Sequence, residues 1–288
     1  MSCDGSHMAL LVPLSVFLLM DAHALYLSLF YALGGIQSHP SSVCLLIPVT
    51  SRKQDWRSLE DTLLYQLPLA SLPPTIRNST AHSFRVFVGY DAGDALFDNS
   101  TTLAALSDHM RAALPSVAFE PRRVRNPKQQ PVPVLNTLSR AAYRAGCDFM
   151  YHIDDDTEFV TPDWAPQFES VLRGFVPPLW GVVGPTCHEG NTAVITHDFV
   201  HRTHLDLFRT HYPPPLTTWW FDDWISNVYG PCNTHRLADV IVRDHPGRTG
   251  LRYDVDWASA EKLPDLIAEG RQDVRNAMVS AYIAEHWS

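Results

Sequence analysis

Three consecutive aspartates, Asp154-Asp155-Asp156, follow the apolar run Phe149-Met150-Tyr151-His152-Ile153. Carboxylates a few ångströms apart raise one another's pKa and repel, so such a run calls for a counter-charge. A divalent cation supplies one. Oxygen ligands suit hard ions such as Mn²⁺ or Mg²⁺, and a pyrophosphate would contribute the remaining oxygens. A solvated acidic turn or a calcium loop is the plainer alternative.

A second constellation is Thr217-Thr218-Trp219-Trp220-Phe221-Asp222-Asp223-Trp224-Ile225-Ser226, two carboxylates at a helix start within an aromatic cluster. Aromatic faces suit sugar rings, and a carboxylate there can accept a hydroxyl proton. Asp at an N-cap or in a first turn can equally serve the backbone N–H groups and the helix dipole. Between the two constellations, Gly181 to Thr192 is glycine-punctuated and offers His188, Glu189 and Asn191 as hydroxyl partners, or forms a tight solvated turn. No Gly-Lys-Ser/Thr follows, which excludes a Walker-type phosphate loop. His197, His201 and His204 have near-helical spacing, but Thr196-His197-Asp198 reads as a strand end, which argues against a zinc site. No Gly-x-Ser-x-Gly elbow is present for a serine hydrolase.

The elements around these residues alternate short apolar runs with helical periodicity, as in a mostly parallel sheet covered on both faces by helices. Strands are expected over Val43–Val49, Phe84–Tyr90, Val117–Glu120, Phe149–Ile153, Trp180–Val183, Ala193–Thr196 and Val240–Val242. Helices are expected over Trp56–Leu67, Thr102–Leu114, Pro133–Ala145, Trp164–Arg173, His201–Thr210 and Asp223–Tyr229, with a turn at Pro73-Pro74. In open α/β sheets ligands bind at the carboxyl ends of strands, so the acidic run, Thr50-Ser51-Arg52 and Asp91 are expected around one ligand.

With 288 residues, 45% hydrophobic and 18% charged, the chain can build a sizeable core. A net charge of -9 argues against a nucleic-acid partner, which needs clustered Lys and Arg. Residues 1–8 read as an expression-vector remnant, 9–35 as an apolar signal peptide, signal anchor or N-terminal helix, and 36–288 as a single catalytic domain. Sequons at Asn78 and Asn99 fit the secretory lumen, the ER or Golgi, in a type II membrane or secreted protein. Cys44, Cys147, Cys187 and Cys232 are too widely spaced for a zinc knuckle, and their spacing leaves buried thiols and disulfides both open.

Asn136 through Phe159, NTLSRAAYRAGCDFMYHIDDDTEF, resembles the helix, glycine, strand and DxD segment of GT-A-fold glycosyltransferases, and the resemblance spans roughly Ser42 to His245. It implies a GT-A-like three-layer α/β/α domain with a mostly parallel sheet, and transfer of a sugar from a nucleoside-diphosphate sugar, a UDP-sugar by preference, to a glycan or glycoprotein hydroxyl. By this resemblance Asp156 binds Mn²⁺ or Mg²⁺, Asp154, with Asp155 in the same run, contacts the donor, and Arg52, Asp91 and Asn136 cradle the nucleotide. Asp222-Asp223 stands where inverting members place an acidic pair, with the second carboxylate, Asp223, as base. A C-terminal histidine often completes the metal shell, which points to His245, with His235 as the alternative. Two rivals carry other expectations: a sugar nucleotidyltransferase, whose N-terminal Gly-rich signature is not found after Val49, and a non-catalytic sugar- or nucleotide-binding relative.

Overall fold

Val43-Cys44-Leu45-Leu46-Ile47 is apolar without alternation, the pattern of a strand covered on both faces. The computed structural model, which describes residues 40–250 and 252–287, places it at the heart of an eight-stranded sheet. The strands are β1 (Ser41–Val49), β2 (His82–Asp91), β3 (Ala118–Val124), β4 (Phe149–His152), β5 (Thr157–Phe159), β6 (Val182–His188), β7 (Phe199–His201) and β8 (Thr234–Asp244). Their order is β3-β2-β1-β4-β7-β6-β8-β5. Four of the seven pairings are parallel; β7 runs antiparallel to β4 and β6, and β5 antiparallel to β8.

The helices are α1 (Leu63–Gln66), α2 (Pro68–Ile76), α3 (Ser100–Ala113), α4 (Pro131–Arg144), α5 (Trp164–Arg173), α6 (Thr203–Phe208), α7 (Phe221–Val228), α8 (Pro246–Thr249), α9 (Trp257–Ala260) and α10 (Leu263–Trp287). On one face Val43, Leu45 and Ile47 pack with Leu72 of α2, Met110 of α3 and Phe168 of α5. On the other, Cys44 and Leu46 pack with Leu138 of α4 and Trp224 and Ile225 of α7. Alternate residues of one strand therefore serve two cores, and the three-layer α/β/α architecture expected from the sequence is present. Contacts group Ser41–Ser288 into one compact unit. The expected remnant at 1–8 and the apolar segment at 9–35 lie outside the described residues. Among the described residues no helix is long and apolar enough to cross a membrane.

Gly89 lets α4 approach β2 closely. A Cβ there would lie 2.5 Å from Val134 Cγ1, so this contact holds the start of α4 beside the ends of β1 and β2. Cys44 and Cys147 form a disulfide between β1 and the turn entering β4, resolving what the spacing had left open.

Several expectations fail for local reasons. The helix expected over Trp56–Leu67 breaks into a single turn, Leu59–Asp61, and α1. The Asp61 carboxylate takes the N–H groups of Arg57 and Ser58, and the Thr62 hydroxyl takes that of Tyr65, so side chains compete for the helical bonds. Pro73-Pro74 lies inside α2, where burial of Leu69, Leu72 and Ile76 outweighs helix-breaking propensity. No strand forms at Ala193–Thr196; β7 lies further on, taking His201 from the expected helix.

Candidate active site

The carboxyl ends of β1, β2 and β4 meet the start of α4. Pro48, Val49, Thr50, Asp91, Gln130, Pro131, Val134, Asp154 and Asp155 line one cavity with Arg252 and Tyr253. Its volume is about 50 Å³, far below the several hundred Å³, roughly 300 or more, of a small-molecule pocket. Arg252 and Tyr253 fill the remainder. A broader, open depression of about 570 Å³ lies between the Lys53–Arg57 loop and Asp61 and Gln66.

The three aspartates have separate environments. Asp154 exposes 42% of its side chain yet stands in dense surroundings, and its Oδ1 accepts from His152 Nε2 at 3.2 Å. That packing alone would raise its carboxyl; the bond to His152 and the nearby positive charge hold it low. Asp155 is buried and accepts two guanidinium bonds from Arg252, at 2.9 and 2.5 Å. Asp156 is largely buried, with Arg252 Nη2 no nearer than 3.8 Å. Burial, then Asp155 and Asp154, push its carboxyl upward.

Beneath the run lies a buried polar network. His152 is fully enclosed, with Nδ1 2.9 Å from Tyr212 Oη and 3.6 Å from Asp198 Oδ1. Tyr212 also donates to Asp198, whose Oδ2 is 2.7 Å from His211 Nε2. Burial would lower the His152 pKa, but the bonds and charges of Asp154 and Asp198 raise it to about 10. His152 is thus an imidazolium between two carboxylates.

Asp222 and Asp223 begin α7 behind Trp220, which adopts φ 72°. The Oδ1 of Asp222 is buried with no partner among the described residues. Its carboxyl is pushed well above the usual range by burial, with Asp154, Asp198 and Asp223 adding repulsion that His152 partly relieves. The Asp223 carboxyl is raised by burial, and the bond from its own backbone N–H works in the opposite direction. Asp222, rather than the Asp223 favoured from the sequence, shares the field of Asp154.

Asp91 is buried, accepts from Asn126 Nδ2 at 2.8 Å, and has its carboxyl raised chiefly by burial. The Arg52 guanidinium lies 5.7 Å from the centroid of the Tyr253 ring. Both thus flank the cavity. Asn136 does not: its amide is spent on Tyr212, donating to O and accepting from N, each at 2.9 Å. It braces α4 and corrects the nucleotide contact expected there.

His245 stands opposite Asp156 across β5 and β8, its backbone N–H donating to Asp156 O at 3.2 Å. Its ring turns to Glu158 Oε2, 3.1 Å away. His235 is exposed near the start of β8, beside Val183 of β6. Ten residues of strand, about 30 Å, separate it from His245, which removes it as an alternative. His197, His201 and His204 do not converge: His201 contacts Thr203, His204 contacts Tyr229 Oη and His211 O, and His197 contacts Thr157. Glu189 lies 3.9 Å from Arg243, and Asn191 accepts from Ala193 N, so local contacts hold both.

Sequence reasoning missed His152, Asp198, His211, Tyr212, Arg252 and Tyr253. His152 carried a signal, since a histidine two residues before Asp154 on a strand shares its face. Arg252 and Tyr253 carried none, lying in a polar stretch beyond β8.

No family model matches the chain, and no curated protein matches it. Solved structures overlap it partially. A protein assigned as a nucleotide-diphospho-sugar transferase from Desulfovibrio desulfuricans G20 has 12% identity and a TM-score of 0.39, covering 80% of this chain and 98% of its own. A cytidylyltransferase from Leptospira borgpetersenii has 9% identity and a TM-score of 0.43, covering 80% and 97%. A homologue, from Mycobacterium sp. strain JC1, of a Mycobacterium tuberculosis protein has 14% identity and a TM-score of 0.41, covering 79% and 97%. At such values no residue role passes from them to this chain.

Proposed function

We propose that the chain is a metal-dependent glycosyltransferase that moves a sugar from a nucleoside-diphosphate sugar, a UDP-sugar by preference, to an acceptor hydroxyl on a glycan or glycoprotein with inversion. What carries this reading is the contrast within the acidic run. Asp154 and Asp155 have their own cations in His152 and Arg252, whereas Asp156, flanked by both carboxylates, has among the described residues only Arg252, at 3.8 Å and already bound to Asp155. Its oxygens suit Mn²⁺ or Mg²⁺, and the His245 imidazole would join them by turning from Glu158. When bound, that ion would screen the diphosphate and stabilise the charge developing on it.

The remaining chemistry falls to the chain. The acceptor oxygen attacks the anomeric carbon, the bond to the diphosphate oxygen breaks, and the hydroxyl proton passes to the Asp222 carboxylate. A carboxylate whose pKa is raised by burial is a stronger base than a solvated one. A single carboxylate acting on the acceptor implies inversion. Asp91 is suited to the ribose, and Arg52 brings positive charge to the cavity edge, where it would meet the diphosphate. The small cavity requires the Arg252-Tyr253 segment to move aside as the donor enters. The Cys44–Cys147 disulfide supports a secretory route through the ER or Golgi.

The test is a screen of nucleotide-sugars with and without Mn²⁺, read by thermal stabilisation and slow donor hydrolysis. The expected result is a UDP-sugar that stabilises and is hydrolysed only with the divalent ion. Turnover that ignores the ion, or none with any donor, contradicts the proposal.

A further inference from the structure

A second group of ligating side chains lies beside the acidic run, on the opposite face of the β5–β8 pair from Glu158 and Arg243. Cys187 stands near the end of β6, Asp244 closes β8, and His197 precedes β7. The Cys187 sulfur, a ring nitrogen of His197 and a carboxylate oxygen of Asp244 all lie within 4.8 Å of one another. His197 Nε2 is 3.3 Å from Asp244 Oδ1. Cys187 and His197 are 2% and 0% exposed.

The surroundings resemble a built site. The other ring nitrogen, His197 Nδ1, is 2.9 Å from Thr196 Oγ1, the kind of outer contact that orients a ligating imidazole. Thr157 Oγ1 lies 2.7 Å from His197 Nε2 and donates to Asp244 Oδ1 at 2.9 Å. Gly190 closes the group, and a Cβ there would lie 2.6 Å from Cys187 Sγ and 2.7 Å from Asp244 Oδ2. Among the described residues, the ion-pair partner of Asp244 is His197, with no Lys or Arg beside it.

A thiol nucleophile is a poor account of this group. Cys187 is enclosed, and burial and the Asp244 carboxylate push its thiol above the usual range, which makes it inert toward a substrate. Thiolate, imidazole and carboxylate together are instead the donor set of zinc, softer than the oxygen-rich set around Asp156.

We propose that Cys187, His197 and Asp244 form a second metal site, selective for Zn²⁺, which staples the ends of β6 and β8 to the start of β5. Three protein ligands leave a fourth position for water or Thr157 Oγ1. Thr157 follows Asp156 directly, so an ion held here fixes the strand that carries the acidic run.

The full chain, with Cys3 and Cys232 changed to Ser to remove other thiols, is stripped of metal and titrated with Co²⁺. The expected spectrum has a thiolate-to-cobalt charge-transfer band and the d–d bands of tetrahedral cobalt, saturating at one ion per chain and displaced by Zn²⁺. Cys187→Ser and His197→Gln lose that spectrum, while Asp156→Ala keeps it, which separates this site from the proposed donor site. Absence of the thiolate band in the parent protein, a measurement that needs no folded variant, overturns the proposal. So does a band that survives Cys187→Ser.

Discussion

Arg252 grips Asp155 through two parallel guanidinium–carboxylate bonds, and both side chains are largely buried at the rim of the cavity between the strand ends. Arg252→Ala leaves Asp155 as an uncompensated buried charge, at a cost of about 3–5 kcal/mol. Urea unfolding should show that loss, and Asp155→Asn in the same chain should recover part of it. Equal stabilities for Arg252→Ala and wild type would mean that the pair contributes nothing.

The charged His152 ties Asp154 to Asp198. Because its folded pKa is raised from 6.5 to about 10, the stability it contributes is complete below about pH 6.5 and is lost as pH rises towards 10. His152→Gln should destabilise by about 3–5 kcal/mol at pH 6, where two carboxylates lose their partner. The deficit should shrink by pH 10. A deficit independent of pH would contradict the imidazolium.

Asp222 is a part-buried carboxylate with one enclosed oxygen that has no partner among the described residues. Its folded pKa is raised, so its ionised form penalises the folded state, and the penalty grows as pH climbs from the ordinary carboxylate range to the folded value. Asp222→Asn should therefore stabilise the protein by about 1–3 kcal/mol at alkaline pH and have little effect below pH 4. The same change should lower kcat by at least about 100-fold if Asp222 is the base, whereas Asp223→Asn should stay near wild type. The reverse ranking would restore Asp223 as the base.

The Cys44–Cys147 disulfide closes a loop with a sequence separation of 103. Replacing both cysteines with Ala should cost about 2–5 kcal/mol in denaturant unfolding. An unchanged midpoint would show that the cross-link does not constrain the unfolded chain.

The strands that carry the acidic run were legible because burial on both faces leaves a continuous apolar signature, as in β1 and β4. The carboxylates themselves were legible because a charged run after such a strand is costly without a purpose. What surrounds them was not. Arg252 reaches Asp155 from 97 residues away, along a polar segment with no periodicity, and Asn136 reaches Tyr212 across the α4 interface in the same silent way. Which carboxylate of Asp222-Asp223 turns inward was not legible either, because it depends on the left-handed Trp220 at the helix start. The group formed by Cys187, His197 and Asp244 required the register of β6 and β8, which local spacing does not contain.

The central claim, that Asp156 anchors a divalent ion for a nucleotide-sugar, is tested most directly by calorimetry of UDP binding with and without Mn²⁺, for wild type and Asp156→Ala. Wild type should bind in a Mn²⁺-dependent manner. The folded Asp156→Ala protein should lose at least about tenfold in affinity together with that dependence. Unchanged affinity and an unchanged response to Mn²⁺ in Asp156→Ala would contradict the account.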